Sequence, residues 1–109
     1  MEPVAYAPYT PGVLARGGAA LLFFASEDPF SAASDAFLRS VYPSSGATIP
    51  TYRVAFSTST GARLTYGVLI PNTFVLIDGG GQRTAAVIHP SEEELRILLR
   101  GHVPLSPNP

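Results

Sequence analysis

Hydrophobic and polar positions change period several times along this chain. Ala19–Ser26, AALLFFAS, holds the longest unbroken apolar run and predicts a central strand buried on both faces. Tyr52–Ser57 alternates like a half-buried strand. Thr73–Asp78 and Arg83–Ile88 are β-rich and flank Gly79-Gly80-Gly81-Gln82, a short loop that predicts an antiparallel hairpin. Between these runs the period lengthens to that of a helix. Ala32, Ala33, Ala36, Phe37 and Val41 recur at helical spacing until Pro43 stops the run. Thr58–Tyr66 reads as a short helix closed by Gly67. Glu92–Arg100 reads as an amphipathic helix with Leu95, Leu98 and Leu99 toward the core. Ser91 and Glu94 have the spacing of a capping box for that helix, and Gly101 its stop.

Prolines supply the punctuation. Thr10-Pro11 predicts a capped helix start, and Gly17-Gly18 the end of that short helix; Asp28-Pro29 repeats the start signal. Pro3, Pro8 and Pro11 stud the beginning, and Pro104, Pro107 and Pro109 the end, so residues 1–9 and 102–109 read as irregular arms around one domain, 10–101. The expected class is α/β: a four-stranded mixed sheet built from a β-α-β unit and a β-β-α unit, flanked by helices, with an extra N-terminal helix. The β-α-β unit should be a right-handed parallel crossover.

Composition narrows the chemistry. At 109 residues, 46% hydrophobic and 14% charged, the chain is long enough to bury its own core and is unlike a disordered one. A net charge of −1 argues against an electrostatic grip on nucleic acid or anionic membrane. All seven cations are arginine, so Schiff-base chemistry is excluded. There is no cysteine, which excludes thiolate catalysis, intramolecular disulfides and sulfur-ligated metals. The apolar run Ala19–Ala25 is far short of the roughly 20 residues that span a bilayer, and no signal peptide is visible.

The segment Asp28-Pro29-Phe30-Ser31 is the main candidate for a site. Asp28 has a complete structural role open to it, accepting the N–H of Ser31 as a helix N-cap. A second reading makes Asp28, Ser31 and Asn72 a polar patch that binds a peptide or small polar ligand. Acid–base work by Asp28 would need a raised pKa, which the field of a helix N-terminus opposes. Glu27 and Asp28 are adjacent on a turn with no third ligand clustered near them, so neither metal nor cofactor is expected. His89 and His102 are the only histidines and no Gly-x-Ser-x-Gly elbow exists, which disfavours a serine triad. No helix follows the Gly79-Gly80-Gly81 loop as a phosphate-binding loop requires.

LLFFASEDPF, taken with YRVAFSTSTGARLTYGVLIPNTFVLID, resembles the thioredoxin-like family in its secreted and membrane-tethered branch, over about residues 9–101. The resemblance implies a thioredoxin fold and places Glu27 where the redox turn has tryptophan. Asp28 and Ser31 take the two cysteine places, and Pro29-Phe30 the variable dipeptide. The family's cis-proline usually stands four residues after the valine of Tyr-Gly-Val; counted from Val68, that is Asn72, with Pro71 one residue early. Either Pro71 is the cis-proline with a slip, or Asn72 replaces it after a trans bond; we favour the second. Ile70, Pro71, Asn72 and Thr73 thereby become the second set of candidate residues. In the family, the residue before the cis-proline offers backbone N–H and C=O to an extended peptide, and Pro71 in that place has no N–H to give. The expectation is a redox-inactive binding or structural module with a protein or peptide partner at the Asp28/Asn72 face. The alternatives are non-thiol chemistry at Asp28 and Ser31, or a variant of an active disulfide oxidoreductase. The branch further implies a bacterial periplasm or cell surface if a leader was removed; the sequence alone names no compartment.

Overall fold

Six consecutive side chains without a polar atom, Ala20–Ala25, cannot face water on either side without cost, and the computed structural model covers both. Residues 6–9, 18–42 and 48–103 are described. The elements, in order, are β1 Tyr6–Pro8, β2 Ala20–Ala25, α1 Pro29–Val41, β3 Thr51–Ala55, α2 Thr60–Tyr66, β4 Thr73–Ile77, β5 Arg83–Ile88 and α3 Glu92–Leu98. They form one mixed sheet in the order β1-β3-β2-β4-β5. β3 runs parallel to β1 and β2, whereas β4 runs antiparallel to β2 and β5. All six residues of β2 are buried at the centre.

The period-2 geometry of β2 sends alternate residues to two separate cores. Leu21 and Phe23 join Leu38 and Val41 of α1, Phe74 and Leu76 of β4, and Leu95 and Leu98 of α3. Leu22 and Phe24 join Val54, Val68, Val75 and Ile77, with Ala62 and Tyr66 of α2 packed against them. Phe23 and Phe74, directly opposite in the β2–β4 register, stack with ring centroids 4.5 Å apart. The hairpin, the Ser91–Glu94 capping box and the burial of Leu95, Leu98 and Leu99 follow the sequence pattern.

Three expectations need correction. The sheet has five strands, not four: Tyr6–Pro8, within the segment read as an irregular arm, is a strand. Pro8 is compatible with it because β1 is an edge strand, where a missing N–H costs little. The second correction concerns α1, whose buried stripe is Ser31, Ser34, Leu38 and Val41; Ala32, Ala33 and Ala36 are exposed. Alanine favours helix wherever it sits, so its apolarity gave the element but not the face. The third is the extent of β3 and α3, which end at Ala55 and Leu98 rather than Ser57 and Arg100. The helix expected after Thr10-Pro11 and the stop at Pro43 lie outside the described residues.

Because Phe74 stacks on the central strand and is fully buried, Phe74→Ala should lower unfolding free energy by about 3–5 kcal/mol in urea titration. A loss below about 1 kcal/mol would mean that the two rings do not share one close-packed core.

Candidate functional site

Where β2 ends, Ser26 carries the chain out of the sheet, and Asp28 adopts an extended conformation (φ −93°, ψ 162°) ahead of Pro29 at the first turn of α1. This is the geometry of an N-cap. Asp28 Oδ1 accepts the Ser31 N–H at 2.8 Å. Its Oδ2 accepts the hydroxyls of Ser31 at 2.9 Å and Ser26 at 2.5 Å. Ser31 Oγ in turn accepts the N–H of Ser26 at 3.2 Å, which closes the ring. Donation by the Ser26 hydroxyl and then the Ser31 N–H outweighs partial desolvation and draws the Asp28 carboxyl down to about 2. The Ser31 hydroxyl and the Phe30 N–H add to that. At neutral pH Asp28 is an anion with no proton to give and little tendency to take one, so the acid–base alternative finds no support in its environment.

Asn72 does not join Asp28 and Ser31 on a surface patch. It is buried, with φ +58°, in the left-handed region that asparagine tolerates better than most residues. Its N–H donates to Phe24 O at 2.7 Å, and its carbonyl accepts the His89 N–H at 3.0 Å. The side chain is also engaged: Oδ1 accepts the Ser34 hydroxyl at 2.7 Å, and Nδ2 pairs with His89 Nδ1 at 3.0 Å. Asn72 therefore ties β2, α1 and the end of β5 together. No peptide bond among the described residues is cis, so Asn72 follows Pro71 through a trans bond and Pro71 is itself trans. Thr73 opens β4 and donates its hydroxyl to the Ile70 carbonyl at 2.9 Å.

Several large apolar side chains are accessible at this end of the sheet, alongside Glu27 and His89. Phe30 is 58% exposed and Leu69 86%, with Ile70 also exposed. The Phe30 ring lies against the imidazole of His89, centroids 4.3 Å apart and planes tilted by 37°. His89, which the sequence left unconnected at a strand end, is thus the bridge between Phe30 and Asn72. One signal for it existed in the hairpin. Register counted outward from the Gly-rich turn brings His89 opposite Pro71, and the irregularity between Leu76 and Ile77 shifts the partner to Asn72. Ser26 and Ser34 were also missed, because small polar residues next to an apolar run carry no pattern of their own. Among the described residues, no three His, Asp or Glu side chains gather to hold a metal. No helix there is long and apolar enough to cross a membrane.

No family model and no curated protein matches the chain by sequence. Solved structures do resemble it. Trxlp from Edwardsiella tarda EIB202 superposes with a TM-score of 0.74 at 20% identity, over 87% of this chain and 98% of that one. A single-site mutant of thioredoxin from Halobacterium salinarum NRC-1 gives 0.71 at 18% identity, over 97% and 95%. Malassezia sympodialis thioredoxin gives 0.66 at 18%, over 91% and 92%. At this identity the likeness establishes the fold: the chain has a thioredoxin fold, and it has no cysteine.

The depressed Asp28 pKa sets a pH window. A carboxyl lowered on folding contributes fully above its unfolded value, near 3.9, and its contribution fades as pH falls through about 2. A carbon-detected NMR titration should place the Asp28 midpoint near 2, and Asp28→Asn should flatten stability against pH between about 4 and 2. A midpoint above 4 would return Asp28 to the candidates for proton transfer.

Proposed function

We propose that this thioredoxin-fold domain is a redox-inactive binding module whose turn end holds an extended protein segment through apolar side chains. The observation that carries the reading is the exposed Phe30 ring seated on His89, beside a turn whose polar atoms are bonded to one another. Contiguous exposed apolar surface is a mark of an interaction site; Leu69 and Ile70 are exposed in the loop that leads to Asn72, whose side chain pairs with the His89 that Phe30 covers. The helix-start positions Asp28 and Ser31 supply the frame under Phe30 rather than chemistry.

The mode of grip differs from backbone strand addition. Asn72 has spent both its N–H and its C=O inside the fold, and Pro71 has no N–H. A bound segment therefore gains its affinity from apolar contacts with Phe30, Leu69 and Ile70, with the Pro71 carbonyl as a backbone acceptor at the 70–72 turn.

Selection of displayed peptides on the immobilised domain tests this. The expected outcome is a consensus with an apolar anchor, whose affinity falls at least tenfold in Phe30→Ala while the melting temperature stays within a few degrees. Binders indifferent to both Phe30→Ala and Ile70→Ala, or a selection with no consensus, would remove the basis for the reading.

A further inference from the structure

The opposite edge of the sheet holds a second cluster that the peptide surface does not use. Tyr6 of β1 donates its hydroxyl to Asp35 Oδ1 of α1, and Asp35 Oδ2 accepts Arg39 Nε at 2.8 Å. Arg53 of β3 brings its Nε to 3.9 Å from Asp35 Oδ1. The Arg39 guanidinium also lies over the Tyr6 ring, 5.7 Å from its centroid, so ring and carboxylate together fix its direction. Burial works against ionisation of Asp35, and the Tyr6 hydroxyl with the two guanidiniums outweighs it, holding the carboxyl below its usual range. One carboxylate thus faces two permanent cations, and the cluster keeps a surplus positive charge on a chain whose net charge is −1.

The surplus faces a cavity. A cleft of 610 Å³ opens here, lined by Tyr6, Tyr9, Arg39, Arg53, Thr58 and Ser59 among others, within the size range of small-molecule sites. Arg39 bonds the carboxylate through Nε and Arg53 brings its Nε to 3.9 Å from it; among the described residues neither guanidinium makes a hydrogen bond through its Nη atoms. Ser59, also in the lining, occupies the N-cap position of α2 without capping it, and its hydroxyl makes no hydrogen bond to another described residue. Two guanidinium edges and nearby hydroxyls exceed what the two oxygens of a carboxylate can accept. They suit the three terminal oxygens of a phosphate monoester, which guanidinium forks bind bidentately.

We infer that the β1–β3 edge is a binding site for a small phosphate monoester, its phosphate held by Arg39 and Arg53 with Ser59, and its organic body lying along Tyr6 and Tyr9. Asp35 is the positioning residue: it aims both guanidiniums without neutralising both. The site is independent of the peptide surface, which lies toward the β4–β5 side of the sheet.

The test is an NMR titration of the full chain at low ionic strength with phenyl phosphate, inorganic phosphate and benzoate. Phenyl phosphate should shift the side-chain Nε–H signals of Arg39 and Arg53 and the Thr58 and Ser59 amides saturably. Inorganic phosphate should shift the same signals with weaker affinity, and benzoate weaker still. Arg53→Gln should weaken phenyl phosphate at least tenfold, and Ser59→Ala, which changes no charge and removes no capping bond, about threefold. Shifts spread evenly over Arg83, Arg96 and Arg100 would overturn the inference. So would benzoate binding as tightly as phenyl phosphate, or an affinity unmoved by both variants.

Discussion

The burial of β2 on both faces is the constraint from which the rest of this molecule follows. A strand with no polar side chain needs a layer of helices or loops on each side, so α1 and α3 cover one face and α2 the other. It also needs partners along both edges, which β3 and β4 provide. The chain can leave such a strand only by turning out of the sheet into polar surroundings. That exit is Ser26, and the next structural demand is a cap for the helix that returns. Asp28 meets it with one oxygen on the Ser31 N–H and the other on two hydroxyls. At this turn a local hydrogen-bond ring ties Ser26, Asp28 and Ser31 to one another.

The same economy governs the loop opposite. Asn72 accepts a left-handed conformation, and in return its backbone and side chain engage four partners on three elements: Phe24, Ser34 and both the backbone and ring of His89. Buried polar groups that are fully paired specify one arrangement, because every alternative leaves a donor or acceptor unpaired. The outcome for function is a transfer of surface. Ser31, Ser34 and Asn72 turn inward, while Phe30, Leu69 and Ile70 are exposed beside the exposed Glu27 and His89.

The sequence carried the local features of this architecture well. The apolar run of β2, the Gly-rich hairpin and the capping box of α3 are signalled by residues close together in the chain. Asp28 as a cap was legible for that reason, since its partners are two and three residues away. Contacts across long separations were not legible. Ser34 lies 38 residues from Asn72 and His89 lies 17 away, and no periodic pattern links them, so Asn72 read as a surface residue when it is a buried junction. Tyr6–Pro8 escaped notice because it is a three-residue strand that ends in proline and pairs through β3, across some 45 residues of chain. The Arg39–Arg53 cluster is hidden in the same way, since its members belong to a helix and a strand that the sheet alone brings together.

Under the proposed function, Asp28 frames the binding surface and does not touch what binds there. The most direct test of that role is Asp28→Ala, measured for both melting temperature and affinity toward a peptide selected on the unaltered domain. The melting temperature should fall by about 4–8 °C, as for one lost N-cap in a domain of this size, with affinity within twofold of the original. An unchanged melting temperature with affinity reduced tenfold or more would contradict it, and would make Asp28 part of the site itself.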